Sequence, residues 1–332
     1  MTHYLFNRLF TMAGTLLAIS MIVFFIIQLP PGDYLTTYIA ELESQGEAIT
    51  KDKIDFLRNQ YALDKPMIEQ YYIWVTGLLQ GDLGYSFEHE LPVSDVIGER
   101  LFLSTILNFS TILFIYAVSF PIGIYSATHQ YSWADHGLSF LGFLGLATPN
   151  FLLALILLYF ANITFGTSIG GLMDPKYINQ PWSGDKILSV LEHLWVPVVV
   201  IGTSGTAGMI RRLRANLLDE LHKLYVTAGR AKGLPEGKLI RKYPLRMALN
   251  PFIADIGNLL PQVVSGSVIV SVVMSLPTTG PMLLSSLRSQ DMYLAGSFLM
   301  FLACLTVFGM FISDVLLGIL DPRIRQGAKV MK

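Results

Sequence analysis

The sequence YVTAGRAKGLPEGKLIRKYPLR, residues 225–246, is a polar segment in a C-terminal half that is otherwise mostly apolar. Together with Lys223 just before it, it carries seven of the chain's 23 lysines and arginines. Gly233-Leu234-Pro235 interrupts its helical pattern, because glycine and proline are the strongest local breakers of regular structure. We call residues 225–246 the basic segment. It is predicted to form two short helices joined by a sharp turn, an element suited to docking on a partner.

The composition is that of a membrane protein. Of the 332 residues, 52% are hydrophobic and 14% are charged, whereas a soluble domain carries about 25% charged residues. The single cysteine, Cys304, lies in an apolar run, which excludes disulfides and cysteine-based metal sites within the chain. The first apolar run, 9–29, ends without a small-x-small cleavage site, so we expect a retained span and not a signal peptide.

Six stretches are long and apolar enough to cross a membrane. A helix rises about 1.5 Å per residue and the hydrocarbon core is about 30 Å thick, so a span needs roughly 20 mostly apolar residues. The stretches are 9–29, 101–127, 137–165, 194–210, 247–274 and 292–320. The fourth is the shortest, and Pro197 marks its expected entry. The expected fold is an all-α polytopic membrane protein with six transmembrane helices.

The charges predict an orientation, because lysine and arginine near span ends tend to stay in the cytoplasm. In a six-span arrangement one side holds 15 of these residues, ten of them between 211 and 246, and the other side holds 8. We expect the richer side to be cytoplasmic and to contain both termini. Residues 31–99 are then external, and their 13 acidic residues against four basic ones suit a solvated domain.

Helices and turns are also predicted in the external parts. Residues 54–63 and 67–79 have the pattern of two amphipathic helices. The loop 166–192 is rich in turn-forming residues, and 275–291 suits a re-entrant bend or a short interfacial helix.

Two interpretations of the basic segment follow from its residues. Charge alone fits a loop that touches anionic lipid as well as it fits a protein partner. Apolar spacing favours a protein partner, because helical stripes of apolar side chains lie on both sides of Gly233. These stripes are Leu217, Leu218, Leu221, Leu224 and Tyr225, followed by Leu239, Ile240 and Tyr243.

Ala228 and Gly233 match two positions of the pattern Glu-Ala-Ala-x-x-x-Gly, and residues 229–234, GRAKGL, are similar to Ala-Arg-Ala-Lys-Gly-Leu. On these residues the segment resembles the cytoplasmic loop of ABC importer permeases, in their oligopeptide, dipeptide and nickel branch. Thr227 replaces the glutamate of the pattern, and Gly229 replaces its second alanine. A glycine inside a helix costs up to about 1 kcal/mol relative to alanine.

The resemblance extends along nearly the whole chain, through Pro31-Gly32-Asp33, Gly81-Asp82-Leu83-Gly84-x-Ser86, Pro149 and Asp321-Pro322-Arg323. It implies the first permease of a pair, the one with a long external loop after the first span. Residues 1–30 would be the cytoplasmic N-terminus and first span, and 31–99 an external helical domain. Residues 100–320 would form a five-helix core that includes a coupling segment, 211–246, and 321–332 would be a cytoplasmic tail.

The resemblance also implies partners. They are a second homologous permease, one or two ABC ATPases, an extracellular or periplasmic solute-binding protein and the lipid bilayer of a bacterial or archaeal cytoplasmic membrane; no nucleic acid is implied. The residues that would couple to the ATPase are Tyr225, Ala228, Gly229, Arg230, Ala231, Lys232, Gly233 and Leu234. The solute would be a dipeptide or oligopeptide, an oligosaccharide or a nickel chelate, and residues 29–34 with the insert 41–52 are slightly closer to the sugar-carrying relatives.

We expect no catalytic, cofactor-binding or metal-binding residues in this chain. A phosphate-binding loop needs Gly-x-x-x-x-Gly-Lys followed by Ser or Thr. The nearest match, residues 233–239, is one residue short and ends in Leu239, so ATP and magnesium are expected in partner ATPases. Residues 202–206 approximate the nucleophile elbow of a hydrolase but lack its closing glycine. Small residues there have a simpler role in close helix packing.

Charged and polar residues within spans are candidates for the translocation pathway, because they are costly in a bilayer. Asp255, Asn258, Gln262 and Ser265 follow one another along the fifth stretch, where they line a pathway or bond to neighbouring helices. Asp314 is expected to pair with Arg323 or Arg325 near the end of the sixth stretch. In the alternative hypothesis, an ion-gradient-driven secondary transporter, Asp255 or Asp314 would be the ion site.

Overall fold

The computed structural model describes residues 2–29, 64–166, 170–178, 180–255, 259 and 268–320. It describes the side chains of these residues except 2–7, 99, 253–254 and 316–320. The predicted helix 54–63 and the candidate pathway residues Asn258, Gln262 and Ser265 lie outside the described residues. The polytopic helical architecture is confirmed at the level of several apolar helices of membrane-spanning length.

The described elements are helical, apart from one short hairpin that the all-α prediction missed. The hairpin strands are β1 (Tyr85–Ser86) and β2 (Leu91–Pro92), which pair antiparallel. The helices before the basic segment are α1 (Thr2–Gln28), α2 (Met67–Gln80), α3 (Val93–Thr128), α4 (Trp133–Ala147), α5 (Asn150–Phe165) and α6 (Gly184–Leu221), with a 3₁₀ turn at Pro175–Tyr177. The later helices are α7 (Leu224–Ala231), α8 (Glu236–Lys242), α9 (Pro244–Ala248), α10 (Asn250–Ala254), α11 (Val268–Val273), α12 (Thr279–Arg288) and α13 (Met292–Leu320).

Four helices of the described chain can each cross a membrane by length and apolarity, and α4 with α5 makes a fifth if the bent pair is one span. The four lie within α1, α3, α6 and α13. The predicted fifth stretch, 247–274, is only partly described, and its described parts form the short helices α9, α10 and α11. The count of six spans therefore stays a prediction. The short helix predicted within 275–291 corresponds to α12.

The predicted third span, 137–165, is not one straight helix. α4 and α5 meet at an angle of 99° across Thr148 and Pro149. Thr148 is extended, with φ −79° and ψ 121°, which is the conformation that a following proline favours. Pro149 then provides the N-cap of α5. The break follows from the loss of a backbone N–H and from steric exclusion of the helical conformation before proline.

The predicted fourth span, 194–210, lies within a longer helix, because α6 has 38 residues. It begins ten residues earlier, at Gly184, where the Ser183 hydroxyl accepts a hydrogen bond from the Lys186 amide at 3.2 Å. The predicted turn-rich loop therefore ends at residue 183. Pro197 lies inside the helix and is buried, so it does not mark an entry. At 1.5 Å per residue α6 is about 57 Å long, well beyond the thickness of a hydrocarbon core.

The close contact between α3 and α6 depends on glycine. A β-carbon at Gly202 would lie 2.5 Å from the Phe114 ring, and one at Gly205 would lie 2.6 Å from Ile115. Glycine therefore allows two long helices to approach more closely than larger residues permit, as is common in membranes. Fully buried side chains of α6 continue this packing toward its C-terminal end, where α9 and α10 join the same apolar cluster.

A second group of helices surrounds the start of α13. The buried Phe24 of α1 packs against Trp74 of α2, with ring centroids 5.8 Å apart. The Trp74 indole N–H donates to the Ser297 hydroxyl of α13 at 3.4 Å. α2 ends at Gly81, which has φ +85° and closes the helix in the left-handed conformation that glycine favours. α1, α2 and α13 therefore form one packed unit.

A buried ion pair fixes the start of α4 to the C-terminal half of α6. The Asp135 carboxylate is almost fully buried, and its two oxygens accept from the Arg214 guanidinium at 3.0 and 2.8 Å. The Tyr131 amide donates to the same carboxylate at 3.0 Å, and the Ser132 hydroxyl caps α4 by accepting from the Asp135 amide at 3.1 Å. A bidentate guanidinium pair is both strong and directional.

We expect Asp135→Asn to lower the thermal stability of the purified protein in detergent. Loss of one partner of a buried pair costs about 3 kcal/mol, the lower end of its usual range, because a quarter of the Arg214 side chain (26%) is exposed. The matched control is Glu69→Gln, which breaks the exposed Lys65–Glu69 pair and should change stability by less than about 1 kcal/mol. Equal melting temperatures for the two variants would contradict the assignment.

Candidate docking site on the basic segment

Gly233 forms the turn of the basic segment. Its backbone has φ +75°, in the left-handed region that favours glycine. The Gly233 amide donates to the Arg230 carbonyl at 2.9 Å, and the Leu234 amide donates to the Gly229 carbonyl at 3.3 Å. These two bonds form a Schellman motif, which satisfies the last carbonyls of a helix. The turn between α7 and α8 is therefore defined by hydrogen bonds.

Gly229 provides the space in which α8 packs on α7. A β-carbon at this position would lie 2.4 Å from Cδ1 of Leu239. Leu239 and Val226 are fully buried, so the leucine side chain has little room to move away. The expected cost of a glycine within α7 is thus offset by a contact between the helices. Gly229 itself is buried and supports the surface of the segment from beneath.

An ion pair bridges the turn on its exposed side. The Arg230 guanidinium donates to both oxygens of the Glu236 carboxylate, with Nη2 at 2.5 Å and Nε at 3.1 and 3.2 Å. The hydrogen bond from Arg230 holds the pKa of Glu236 below its usual value. Because both side chains are about half exposed, the pair contributes little stability. Its role is geometric, since it joins the end of α7 to the start of α8.

Tyr225 ties the other end of the segment to α6. Its hydroxyl donates to the Glu220 carboxylate at 2.5 Å, and Lys223 contacts the other oxygen of Glu220 at 2.6 Å. Burial and the bond to Glu220 raise the pKa of Tyr225 above its usual value. The Tyr225 ring also meets the Tyr243 ring edge to face, with centroids 6.5 Å apart. Both helices of the segment are therefore held at the end of α6.

The outward face of the segment combines an apolar side chain, small residues and unpaired cations. Leu224, which directly precedes the segment, is 87% exposed. Among the described residues, Lys232, Lys238, Arg241 and Arg246 have no carboxylate partner, and all four are exposed. The exposed small residues between them include Ala228 and Ala231. Such a surface fits an acidic cleft with an apolar floor.

The eight predicted coupling residues lie in α7 and in the turn that follows it. Seven are exposed or half-buried, and these are Tyr225, Ala228, Arg230, Ala231, Lys232, Gly233 and Leu234, whereas Gly229 is buried. Sequence reasoning did not identify Glu220 and Glu236 as supporting residues. It assigned Leu239 to an apolar stripe for a protein partner, whereas Leu239 is fully buried against Gly229. A carboxylate just after the Gly233 turn and an arginine just before it were the available signal for the Arg230–Glu236 pair.

Asp255 lies beside α6 and is paired. Its carboxylate accepts from the Arg212 guanidinium at 2.5 Å, and this guanidinium also lies 5.4 Å from the centre of the Phe252 ring. Both side chains of the ion pair are partly exposed, at 40% and 50%. An open groove of about 600 Å³ runs beside them, lined by Ser204, Gly205, Gly208, Met209, Arg211, Arg212 and Ala215. Asp255 thus contacts one residue of the groove lining, Arg212, and its place on a translocation pathway stays a prediction.

Asp314 has a partner that the sequence analysis did not name. Asp314 pairs with Arg8 of α1 at 2.7 Å, and the predicted partners Arg323 and Arg325 lie outside the described residues. The pair joins α1 to α13 near the end opposite the hairpin. Pairing with Arg8 offsets the cost of this charge in an apolar helix.

Comparison with known proteins identifies the family. Residues 119–326 match the family model described as binding-protein-dependent transport system inner membrane component, and residues 1–108 match the model of its N-terminal part. An oligopeptide transport system permease protein of Bacillus subtilis is 33% identical over 326 residues, which cover 98% of this chain and 99% of the relative.

Two further relatives match over similar lengths. A dipeptide transport system permease protein of Escherichia coli K12 is 25% identical, and an oligopeptide transport system permease protein of Haemophilus influenzae is 27% identical. Each match covers 98% of this chain and at least 99% of the relative. The chain therefore belongs to the family of inner membrane components of binding-protein-dependent transport systems, and it is an ABC permease subunit and not an enzyme.

Proposed function

We propose that this chain is one of two permeases that form the solute pathway of a peptide importer, and that the basic segment docks on a separate ATPase. The observation that carries the proposal is the position of the segment at the end of α6. α6 borders the groove beside Asp255 and continues without a break to Leu221, two residues before Lys223. A displacement of the docked segment is therefore applied directly to the wall of the groove.

The attachment of the segment supports this transfer of motion. Glu220 near the end of α6 holds Tyr225, and the Gly229–Leu239 contact holds α8 on α7. α9 returns to pack on α6 beside the fully buried Leu213 and Leu217. The segment is consequently a rigid extension of α6, and a partner that moves it tilts the helix in an alternating-access cycle.

A separate ATPase is expected because the nearest approximation to a phosphate loop in the sequence serves another purpose in the fold. Gly233 forms a helix C-terminal turn, Gly237 lies within α8, and Leu239 is fully buried against Gly229. A phosphate loop needs free backbone amides and a hydroxyl for magnesium at this end of the motif. ATP and magnesium therefore belong to the partner subunits.

The proposed orientation places the basic segment and both termini in the cytoplasm. It rests on the excess of lysine and arginine on that side, 15 against 8. The hairpin and α2 then face the outside, where a solute-binding protein delivers its ligand. We favour a dipeptide or oligopeptide as solute, because the relatives named above are peptide permeases. An oligosaccharide is the competing solute.

Transport by the complete complex should require ATP. We expect proteoliposomes that contain this chain, a second permease, the ATPases and the binding protein to accumulate labelled peptide only when ATP is supplied. The purified chain alone should show no ATP hydrolysis above background. Uptake driven by a proton or sodium gradient without ATP would instead support the secondary transporter, and preferential uptake of labelled oligosaccharide would overturn the peptide assignment.

Gly229→Val should uncouple the ATPases from transport. Its side chain overlaps Leu239, and overpacking of this kind costs about 1–3 kcal/mol, which displaces α8 from α7. The measurement is peptide transported per ATP hydrolysed, compared with the double variant Gly229→Val with Leu239→Ala, which restores space and should recover much of the ratio. The coupling role of this contact is refuted if the single variant transports normally or if the double variant is no better.

Gly233→Glu should lower uptake without reducing the amount of protein in the membrane. No atom lies within 4 Å of an added β-carbon, so the effect comes from the backbone and the docking surface. A non-glycine residue in the left-handed conformation costs roughly 1–2 kcal/mol, whereas asparagine adopts it readily. Gly233→Asn is therefore the matched control and should retain most uptake. Full uptake by Gly233→Glu argues against docking at this turn.

A further inference from the structure

Asp291 is a fully buried carboxylate at the junction of α12 and α13. Its Oδ2 accepts from the Ser86 hydroxyl at 2.6 Å and from the Glu88 amide at 3.1 Å, both in the hairpin. Its Oδ1 accepts from the Leu294 amide at 3.0 Å and so caps the start of α13. One side chain thus joins the hairpin to a membrane helix more than 200 residues away in sequence.

Neighbouring contacts strengthen the same junction. The Ser289 hydroxyl donates to the Glu88 carboxylate at 2.8 Å. The Tyr293 ring lies against Gly84, where a β-carbon would come within 2.2 Å of the ring. Phe87 meets the same tyrosine edge to face, with centroids 5.5 Å apart. The hairpin is therefore held against the start of α13 by both polar and aromatic contacts.

The hairpin is also connected to α2 and α3. Ser297 of α13 accepts from Trp74 of α2 and donates to the Leu83 carbonyl at 2.8 Å. The Val93 amide at the start of α3 donates to the Gly84 carbonyl at 3.0 Å. The connection from α2 through the hairpin to α3 is therefore held by hydrogen bonds to α13 and at the start of α3.

Stability alone does not account for this choice of residue. Burial raises the pKa of Asp291 above its usual value, against the opposing hydrogen bonds from Ser86, Leu294 and Glu88. A carboxyl group with a raised folded-state pKa loses stability as the pH rises through its unfolded-state pKa, so the ionised group costs stability at neutral pH. In some proteins a buried polar group of this kind fixes one particular arrangement of the chain.

We infer that the hairpin and Asp291 form a permanent latch that passes a displacement of α2 to α13 and α3 when an external protein docks. The inference rests on the proposed function, since it assigns the docking partner to the side of α2 and the hairpin. Asp291 is a positioning residue in this scheme and contacts no solute. The latch stays closed through the transport cycle, and the helices that it joins move together.

The first test compares Asp291→Asn with Asp95→Asn in the complete reconstituted complex. Asparagine removes the charge that strengthens the bonds to Ser86 and Glu88, and charged hydrogen bonds of this kind change an equilibrium by about tenfold or more. We expect unchanged basal ATP hydrolysis but a several-fold loss of its stimulation by the loaded binding protein. Asp95 is exposed two residues after α3 begins, so its variant controls for the change of charge. Equal stimulation in both variants overturns the inference.

The second test replaces the latch with a covalent one. Glu88→Cys and Ser289→Cys, on a Cys304→Ser background, are joined by a short bifunctional methanethiosulfonate. We expect the joined complex to transport peptide at the rate of the reduced one, and the same bridge to restore stimulation to Asp291→Asn. Inhibition that reducing agent reverses would show that the hairpin must open. Failure of the bridge to rescue Asp291→Asn would show that Asp291 acts by another route.

A third measurement separates the latch from the proposed function. Absence of any stimulation or uptake in the wild-type complex rejects the proposed function. Hydrogen exchange on the same complexes still tests the latch, because Asp291→Asn should speed exchange of the hairpin amides about tenfold and leave the buried turns of α6 unchanged. Unchanged hairpin exchange rejects the latch. If Asp291→Asn does not assemble, Ser86→Ala removes one donor and is measured in its place.

Discussion

The contact of α3 with α6 determines where the other helices of the core can lie. Apolar side chains gain nothing by leaving lipid for another apolar surface, so membrane helices associate through close packing. Gly202 and Gly205 allow that packing, because Phe114 and Ile115 occupy the space where their β-carbons would lie. α4, α5 and α9 in turn pack on α6. A β-carbon at either glycine of α6 would displace α3 and widen the space between α3 and α6.

The same constraint explains the ion pairs. A lone charge in an apolar environment is costly, so a carboxylate within or beside a membrane helix requires a partner. Asp135 on α4 pairs with Arg214 on α6, and Asp314 on α13 pairs with Arg8 on α1. Each pair joins two helices and fixes their relative rotation. The two carboxylates that the hypothesis of an ion-driven transporter would need, Asp255 and Asp314, each contact a guanidinium in the fold.

Local patterns predicted the apolar helices and the turn of the basic segment, but they did not predict the effects that depend on distant contacts. Pro149 breaks a helix whereas Pro197 lies inside one, although each proline lacks a backbone N–H. The difference arises because neighbouring helices pack around the buried Pro197. Helix propensity alone assigns Gly229 a free-energy cost relative to alanine. The contact with Leu239 that offsets this cost forms only after the chain turns at Gly233. Arg8 and Asp314 lie near opposite ends of the sequence, so no local pattern predicts that they pair.

Two packed groups account for most of the described chain, and few elements join them. α3, α4, α5 and α6 form one group with the basic segment attached, and α1, α2 and α13 form the other. They meet where α10 approaches α13 and where the first turns of α3 pack against α12 and α13, around Val93, Met282 and Phe298. The hairpin lies beside this second junction. A displacement of α2 and a displacement of the basic segment can therefore both reach α3, through these direct contacts and through the hairpin that lies beside them.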